Sequence, residues 1–424
     1  MSVFGRGRDV GGGLATGRSP ALRALGPVLP GSYGGRTAAL RTRSLPRRLF
    51  AEDSQLRHTD WVLVLAVLAL SLMGTLLVWS ATRPGLAQAG LNPNSYLEKQ
   101  LLNVAIGLLL LVAVSLADYR MLKVIAPYAY AVSCLGLLAV LSPLGSTING
   151  AHAWISLPGG FQVEPSEFVK LGLVLVLAVI LAQVRGRPEP PKLRQLGLAV
   201  FVAVPAIALV EAEPALGVAI VLVAVLAGMI VLSGLRLGWI VVLTTAAALG
   251  VGAVFKMHLL QSYQTQRLTS FLNPNANTLG AGYSANQAKI MIGSGGMFGQ
   301  GLFHGQLVAG NFVPNQQTDF IFTVAGEELG FVGAVAIIAV LGVVLVRALR
   351  IAARADDMFG LLVASGIALW FGVQTFVNIG MTIGIAPVTG IPLPFLSYGG
   401  SAMFADMMAI GVLQSVHRRH RMFG

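Results

Sequence analysis

Long apolar runs recur along this chain and constrain its fold more than any other feature. Several stretches of 18 or more residues contain almost no charge, which is typical of helices that cross a membrane. Charged residues make up only 11% of the 424 residues, whereas a soluble domain carries about 25%. These patterns exclude a water-soluble globular class and predict an all-α polytopic membrane protein.

We predict about ten transmembrane helices, with a large extracytoplasmic loop at 257–326 between the seventh and the eighth. A charged break around Pro214 divides one long apolar stretch into two, because proline and its acidic neighbours favour a turn. The predicted spans are 62–81, 100–117, 124–143, 166–184, 196–212, 214–232, 237–257, 326–346, 359–382 and 401–416.

The distribution of positive charge predicts the orientation of these spans. Lys and Arg are concentrated in alternate short loops, and cytoplasmic loops carry such an excess. Both termini are therefore predicted to be cytoplasmic, in a multi-pass protein of the cell membrane. The net charge of +12 does not indicate nucleic-acid binding, because it lies in the N-terminal tail and in these short loops.

Composition divides the chain into three predicted parts. Residues 1–58 are rich in Arg, Gly, Pro and Ser and are predicted to form a basic, disordered cytoplasmic tail. Residues 59–417 form the ten-span domain, and residues 418–424 form a short basic cytoplasmic tail. The N-terminal tail has no apolar stretch of the kind that defines a signal peptide.

The stretch VPNQQTDFIFTVAGEELGFVGA places acids where an apolar helix begins, on the predicted outer side. Thr318 is expected to cap this helix, which would put Asp319 in its first turn. Asp319 is then either a structural acid at a helix start or a carboxylate facing chemistry at the outer surface. Glu327 and Glu328 lie deeper, and we expect each to pair with a Lys or Arg from another helix.

A second polar group, in QVEPSEFVKLGLVL, lies at the outer end of the fourth predicted span. Pro165 suits the first turn of a helix, so Glu167 and Lys170 fall three positions apart on one face. Unpaired charges are costly inside a membrane. The two residues are therefore either a self-neutralising structural pair or a charged wall of an outer cavity.

The large loop and the last loop both contain unusual backbone patterns. SANQAKIMIGSG, which includes Lys289, predicts a short helix ended by glycines. GSGGMFGQG lacks the Lys and Ser/Thr of a phosphate-binding loop, so its glycines permit tight turns or a close approach. IGIAPVTGIPLPFLSYGG cannot form a plain helix and is predicted to pack inside protein or to line a wet cavity.

Four motifs in fixed order resemble those of the SEDS family, the shape, elongation, division and sporulation proteins that include the RodA and FtsW types. They are GFQVEPSEFVKL, RLTSFLNPNANTLGAGYSANQAKIMIGSGGMFGQGLFHG, VPNQQTDFIFTVAGEELGFVG and APVTGIPLPFLSYGGSAM. The similarity runs from about Trp61 to Val416. GQGLFHG and NQQTDFIF are more similar to the elongation (RodA) type than to the division (FtsW) type.

The resemblance implies a peptidoglycan glycosyltransferase that polymerises lipid II for cell elongation and shape, beside a class B penicillin-binding protein. It also implies that Asp319 is the catalytic carboxylate and that Glu167 and Lys170 are functional. Lys170 and Lys289 are candidates to bind the pyrophosphate of the substrate. No built-in cofactor or metal cluster is expected, although a divalent cation such as Mg²⁺, held by phosphates and a carboxylate, fits the chemistry.

The sequence departs from the family pattern at three places. Glu164 replaces the Gln of QPSE, Ala153 replaces a basic residue, and EPALGV at 213–218 replaces QPDLGT, so that Ala215 replaces an Asp. The alternatives left open are a lipid II flippase, the division-type enzyme and a scaffold that recruits a penicillin-binding protein. The outward concentration of polar groups favours the enzyme over the flippase.

Overall fold

The computed structural model describes residues 58–148, 151–157, 161–182, 191–235, 238–239, 241–242, 245, 262–272 and 280–423. The chain divides into two units, Met1–Arg57 and His58–Gly424, and all of the described residues lie in the second. The predicted N-terminal tail therefore lies outside the described residues.

Long helices form most of the described chain, as predicted. They are α1 (Trp61–Gln88), α2 (Ser95–Leu116), α3 (Tyr119–Val140), α4 (Pro165–Leu181), α5 (Leu193–Ala212), α6 (Leu216–Leu232), α10 (Ile321–Ala353), α11 (Met358–Ile383) and α12 (Gly400–Phe423), with α7 (Ser262–Leu272), α8 (Ala281–Ser294) and α9 (Gln306–Ala309) in the large loop.

These helices account for nine of the ten predicted spans, and six of them are long and apolar enough to cross a membrane. The seventh predicted span, 237–257, lies mostly outside the described residues. The protein is thus a helical multi-pass membrane protein, and the count of ten stays a prediction. The turn predicted at Pro214 is confirmed, because α5 ends at Ala212 and α6 begins at Leu216.

A small antiparallel sheet is the main departure from the all-α prediction. Its strands are β1 (Gly145–Ile148), β2 (Ala151–Leu157) and β3 (Phe161–Val163), in the order β1-β2-β3. Gly145 pairs with Ile155, and Ile155 pairs with Val163. The sheet leads directly into α4, so it fixes the start of the helix that carries Glu167 and Lys170.

Helix α10 contains a kink at Gly330, whose φ of 66° requires glycine. A Cβ at Gly330 would lie 2.2 Å from the backbone nitrogen of Gly299. The amides of Gln300 and Gly301 donate to the carbonyls of Glu327 and Glu328 at 2.9 and 3.0 Å. The glycine-dense motif thus allows the loop backbone to approach α10 closely. It does not form a phosphate-binding loop.

The segment between α11 and α12 is non-helical and packs inside protein, as predicted. Ile391, Leu393 and Leu396 are buried in the core. A Cβ at Gly74 of α1 would lie 2.4 Å from the carbonyl oxygen of Leu396. The segment therefore passes against α1 and brings its own backbone to the site described next.

Candidate active site

A cavity of about 570 Å³ lies where several helices begin or end. It is bounded by strand β3, the start of α4, the turn between α5 and α6, the turn before α10 and the segment between α11 and α12. Its charged side chains, among the described residues, are Lys99, Glu164, Glu167, Glu213, Arg267 and Asp319. The cavity thus collects acids and bases from parts of the chain that are far apart in sequence.

Asp319 lies in the turn that precedes α10, which corrects the predicted cap. Helix α10 begins at Ile321 and no side chain caps it. The Thr318 hydroxyl instead donates to the carbonyl of Asn315 at 3.1 Å, which closes the turn before the helix. The Asn378 amide donates to the carbonyl of Asp319 at 2.8 Å, and the Ser397 hydroxyl donates to that of Thr318 at 2.6 Å. The backbone that carries Asp319 is therefore held from two sides.

The carboxylate of Asp319 faces Arg267 across a glycine. A Cβ at Gly390 would lie 3.4 Å from Oδ2 of Asp319 and 4.0 Å from Nη2 of Arg267. Arg267 is held by donating to the carbonyl of Thr389 at 2.8 Å. Burial raises the pKa of Asp319 to about 6, while the Thr318 hydrogen bond and the Arg267 charge oppose that rise. Asp319 is thus mostly ionised at neutral pH and has the pKa of a usable base.

Glu167 and Lys170 form the predicted pair, buried at one side of the cavity. Lys170 Nζ lies 2.7 Å from Glu167 Oε2, and each side chain is 1% exposed. Lys170 also donates to Gln374 Oε1 at 2.9 Å and lies 4.9 Å from the centre of the Trp370 ring. Trp370 donates to the same Gln374 oxygen at 2.6 Å. Glu167 lines the cavity, whereas Lys170 is committed to this network beneath it.

Lys289, unlike Asp319 and Glu167, does not line the main cavity. It lies on α8, beside a separate pocket of about 20 Å³. Arg267 borders both spaces. The structure therefore brings together Asp319 and Glu167 at the main cavity, with Lys170 bound to Glu167, and places Lys289 at the smaller pocket that Arg267 also borders.

Among the described residues, neither Glu327 nor Glu328 forms the expected ion pair with a Lys or Arg. Glu327 accepts hydrogen bonds from the backbone amides of Leu307 and Val308 at 2.7 and 3.0 Å. Glu328 accepts from the Ser80 hydroxyl and from a backbone amide of the same loop. The loop supplies the three backbone amides and α1 supplies Ser80, so the two acids anchor the loop to α10.

A family described as "Cell cycle protein", which groups FtsW, RodA and SpoVE, matches residues 60–422. The chain belongs to this family. It is 37% identical over 369 residues to the peptidoglycan glycosyltransferase MrdB of Escherichia coli K12, covering 86% of this chain and 95% of that protein.

Solved structures of the family have the same fold. One, titled for the structural coordination of polymerization and crosslinking by a peptidoglycan synthase complex, has a TM-score of 0.72 and 32% identity. It covers 85% of this chain and 98% of its own. Thermus thermophilus RodA gives a TM-score of 0.62 and 29% identity, with 85% of this chain and 97% of that one covered.

Several residues at this cavity were not predicted as site residues. The sequence did contain a signal for Arg267, since the predicted outer loop contains few strong cations. Gln374 and Asn378 had another, since they are polar residues four positions apart on an apolar helix and share one face. Glu164 and Glu213 were visible only as departures from the family pattern, and their meeting at one cavity was not predicted.

Proposed function

We propose that this protein is a peptidoglycan glycosyltransferase that polymerises lipid II at the outer face of the cell membrane. The observation that carries the proposal is the half-buried carboxylate of Asp319, facing Arg267 in a cavity of about 570 Å³. Relatives named as peptidoglycan glycosyltransferases support the same reaction.

In the proposed reaction, Asp319 acts as the general base. A sugar hydroxyl of the acceptor attacks the anomeric carbon of the donor and passes its proton to the Asp319 carboxylate. The new carbon–oxygen bond forms as the bond to the pyrophosphate breaks, and the lipid-linked pyrophosphate leaves with that electron pair. Positioned proton transfer of this kind typically contributes about 10²–10⁴-fold to the rate.

Cationic side chains at the cavity suit the charge on the leaving group. Arg267 faces Asp319, and Lys99 lines the same cavity. An Arg guanidinium can donate two parallel hydrogen bonds to phosphate oxygens. We assign Arg267 to the pyrophosphate ahead of Lys289, which borders only the smaller pocket.

The elongation role, the orientation and the partner are part of the same proposal. GQGLFHG and NQQTDFIF favour the elongation type, and the basic loops favour ten spans with both termini cytoplasmic. A solved relative belongs to a peptidoglycan synthase complex in which polymerization and crosslinking are coordinated. A class B penicillin-binding protein is therefore the proposed partner, and lipid II the proposed substrate.

Reconstitution tests the activity directly. The purified protein is incorporated into lipid nanodiscs with labelled lipid II, with and without a class B penicillin-binding protein whose transpeptidase is blocked. We expect uncross-linked glycan strands that lysozyme degrades. Movement of lipid II across vesicle membranes, with no glycan in either condition, would favour a flippase. If the protein neither makes glycan nor moves lipid II even with the partner present, a scaffold is favoured.

A further inference from the structure

One buried acid at the cavity has no hydrogen-bond partner among the described residues, and the proposed reaction does not use it. Glu213, in the turn between α5 and α6, is 1% exposed, and neither of its carboxylate oxygens has a hydrogen-bond partner among the described residues. A buried polar group without a partner is costly, and a buried charge more so. Its position at the cavity wall indicates that its partner is a bound group.

A second acid lines the same cavity and could share that partner. Glu164, just before α4, lines the same cavity, and its charge acts on Glu213. Glu164 is held by its neighbours, since its backbone amide donates to Ser401 at 2.8 Å and Ser166 donates to its Oε1 at 2.9 Å. Among the described residues, neither Glu164 nor Glu213 forms an ion pair with a Lys or Arg side chain.

The charge of the whole cavity points the same way. Four carboxylates line it, whereas Lys99 and Arg267 are its only cationic side chains among the described residues. One of those carboxylates, Glu167, is neutralised by Lys170. A pyrophosphate donor would bring more negative charge into this space, so an added cation would stabilise both the acids and the substrate.

We propose that Glu164 and Glu213 form a two-carboxylate site for a divalent cation, whose other ligands are water and pyrophosphate oxygens. This inference rests on the proposed function for the identity of the phosphate. The described residues contain no group of three or more His, Cys, Asp or Glu that could enclose a metal. Mg²⁺ is commonly bound by one or two carboxylates together with substrate phosphates, which is the arrangement available here.

Mn²⁺ binding tests this site without relying on catalysis. The full chain in nanodiscs is titrated with Mn²⁺ alone, and then with Mn²⁺ and inorganic pyrophosphate, while electron paramagnetic resonance measures the free ion. We expect one saturable site in the wild type, with Kd raised about tenfold or more in Glu213→Gln and in Glu164→Gln. Glu211→Gln is the matched control, because Glu211 lies on α5 only two residues before Glu213, accepts a hydrogen bond from Gln264 of α7 and does not line the cavity.

Each result decides the question. The absence of a saturable site in the wild type overturns the inference without any variant. Unchanged binding in Glu213→Gln, or loss only in Asp319→Asn, also overturns it. Glycan synthesis from lipid II by the same wild-type preparation is measured in parallel. If the protein makes glycan but has no saturable Mn²⁺ site, the cation inference fails and the proposed function is unaffected. If it binds Mn²⁺ at this site but makes no glycan, the proposed function fails and the cation inference is unaffected.

Discussion

Replacing Lys170 by methionine should strongly destabilise the protein, because it removes the only cation that the buried Glu167 contacts in the described part of the chain. Lys170 and Glu167 are each 1% exposed and 2.7 Å apart. Loss of one partner leaves the other as an uncompensated buried charge, which costs about 3–5 kcal/mol. The change also removes the hydrogen bond to Gln374. Lys170→Met should therefore lower the free energy of unfolding by about 3–5 kcal/mol.

Equilibrium unfolding in mixed micelles, followed by tryptophan fluorescence, measures this loss. Lys123→Met is the control, because the Lys123–Asp357 pair is 2.8 Å long but 42% and 30% exposed. Its loss should cost less than about 1 kcal/mol. Glu167→Gln combined with Lys170→Met should recover most of the stability, since neither charge remains. A cost below about 1 kcal/mol for Lys170→Met would refute the reasoning.

The double variant also separates structure from function. If the pair is purely structural, the refolded double variant should polymerise lipid II at near the wild-type rate. If Glu167 or Lys170 contacts substrate, the double variant should fold but remain slow. Exchanging the two charges is less informative, because Lys170→Glu would place a carboxylate over the Trp370 ring and against the Gln374 oxygen.

Four further predictions follow from the same geometry. Because burial raises the pKa of Asp319 to about 6 and the base must be ionised, kcat/KM should fall about tenfold per pH unit below that value; an acidic limb near pH 4 would contradict this. Arg267→Ala should reduce kcat/KM at limiting lipid II more than Lys289→Ala does. Equal losses in the two variants would contradict the assignment of Arg267 to the pyrophosphate. Gly330→Ala should markedly lower the thermal unfolding midpoint, since its Cβ would lie 2.2 Å from a backbone nitrogen at a φ of 66°; an unchanged midpoint would contradict the kink. Deletion of 1–49 should leave polymerase activity intact, because the tail is predicted to lie opposite the site, and a lost activity in folded protein would contradict that orientation.

The helices could be predicted from the sequence because each depends on local hydropathy. The start of α4 at Pro165 and the Glu167–Lys170 pair follow from a proline at the first turn and a spacing of three residues. The turn at Pro214 follows in the same way. Helix ends were less predictable: α10 reaches Ala353 because polar turns can continue a helix beyond its apolar part.

The small sheet and the site depend on contacts that local patterns do not encode. The sequence around β1 and β2 contains Asn149–Gly150, a known hairpin signal, but strands this short lack a strong periodicity. Arg267 and Asp319 are 52 residues apart in sequence, yet both side chains lie beside Gly390 in the segment between α11 and α12. The anchoring role of Glu327 depends on a loop that precedes it by 20 residues in sequence. Such long-range contacts require the tertiary structure.

The most direct test of the account compares wild type with Asp319→Asn in a single-turnover assay of glycosidic bond formation. Asn keeps the shape of the side chain but cannot accept the proton of the acceptor hydroxyl at neutral pH. Both proteins are loaded with lipid II in nanodiscs to the same measured occupancy, with the proposed partner, a class B penicillin-binding protein, present. We expect Asp319→Asn to form the bond about 10²–10⁴-fold more slowly than wild type while binding lipid II equally well. A rate within a few-fold of wild type at matched occupancy would contradict the assignment of Asp319 as the base.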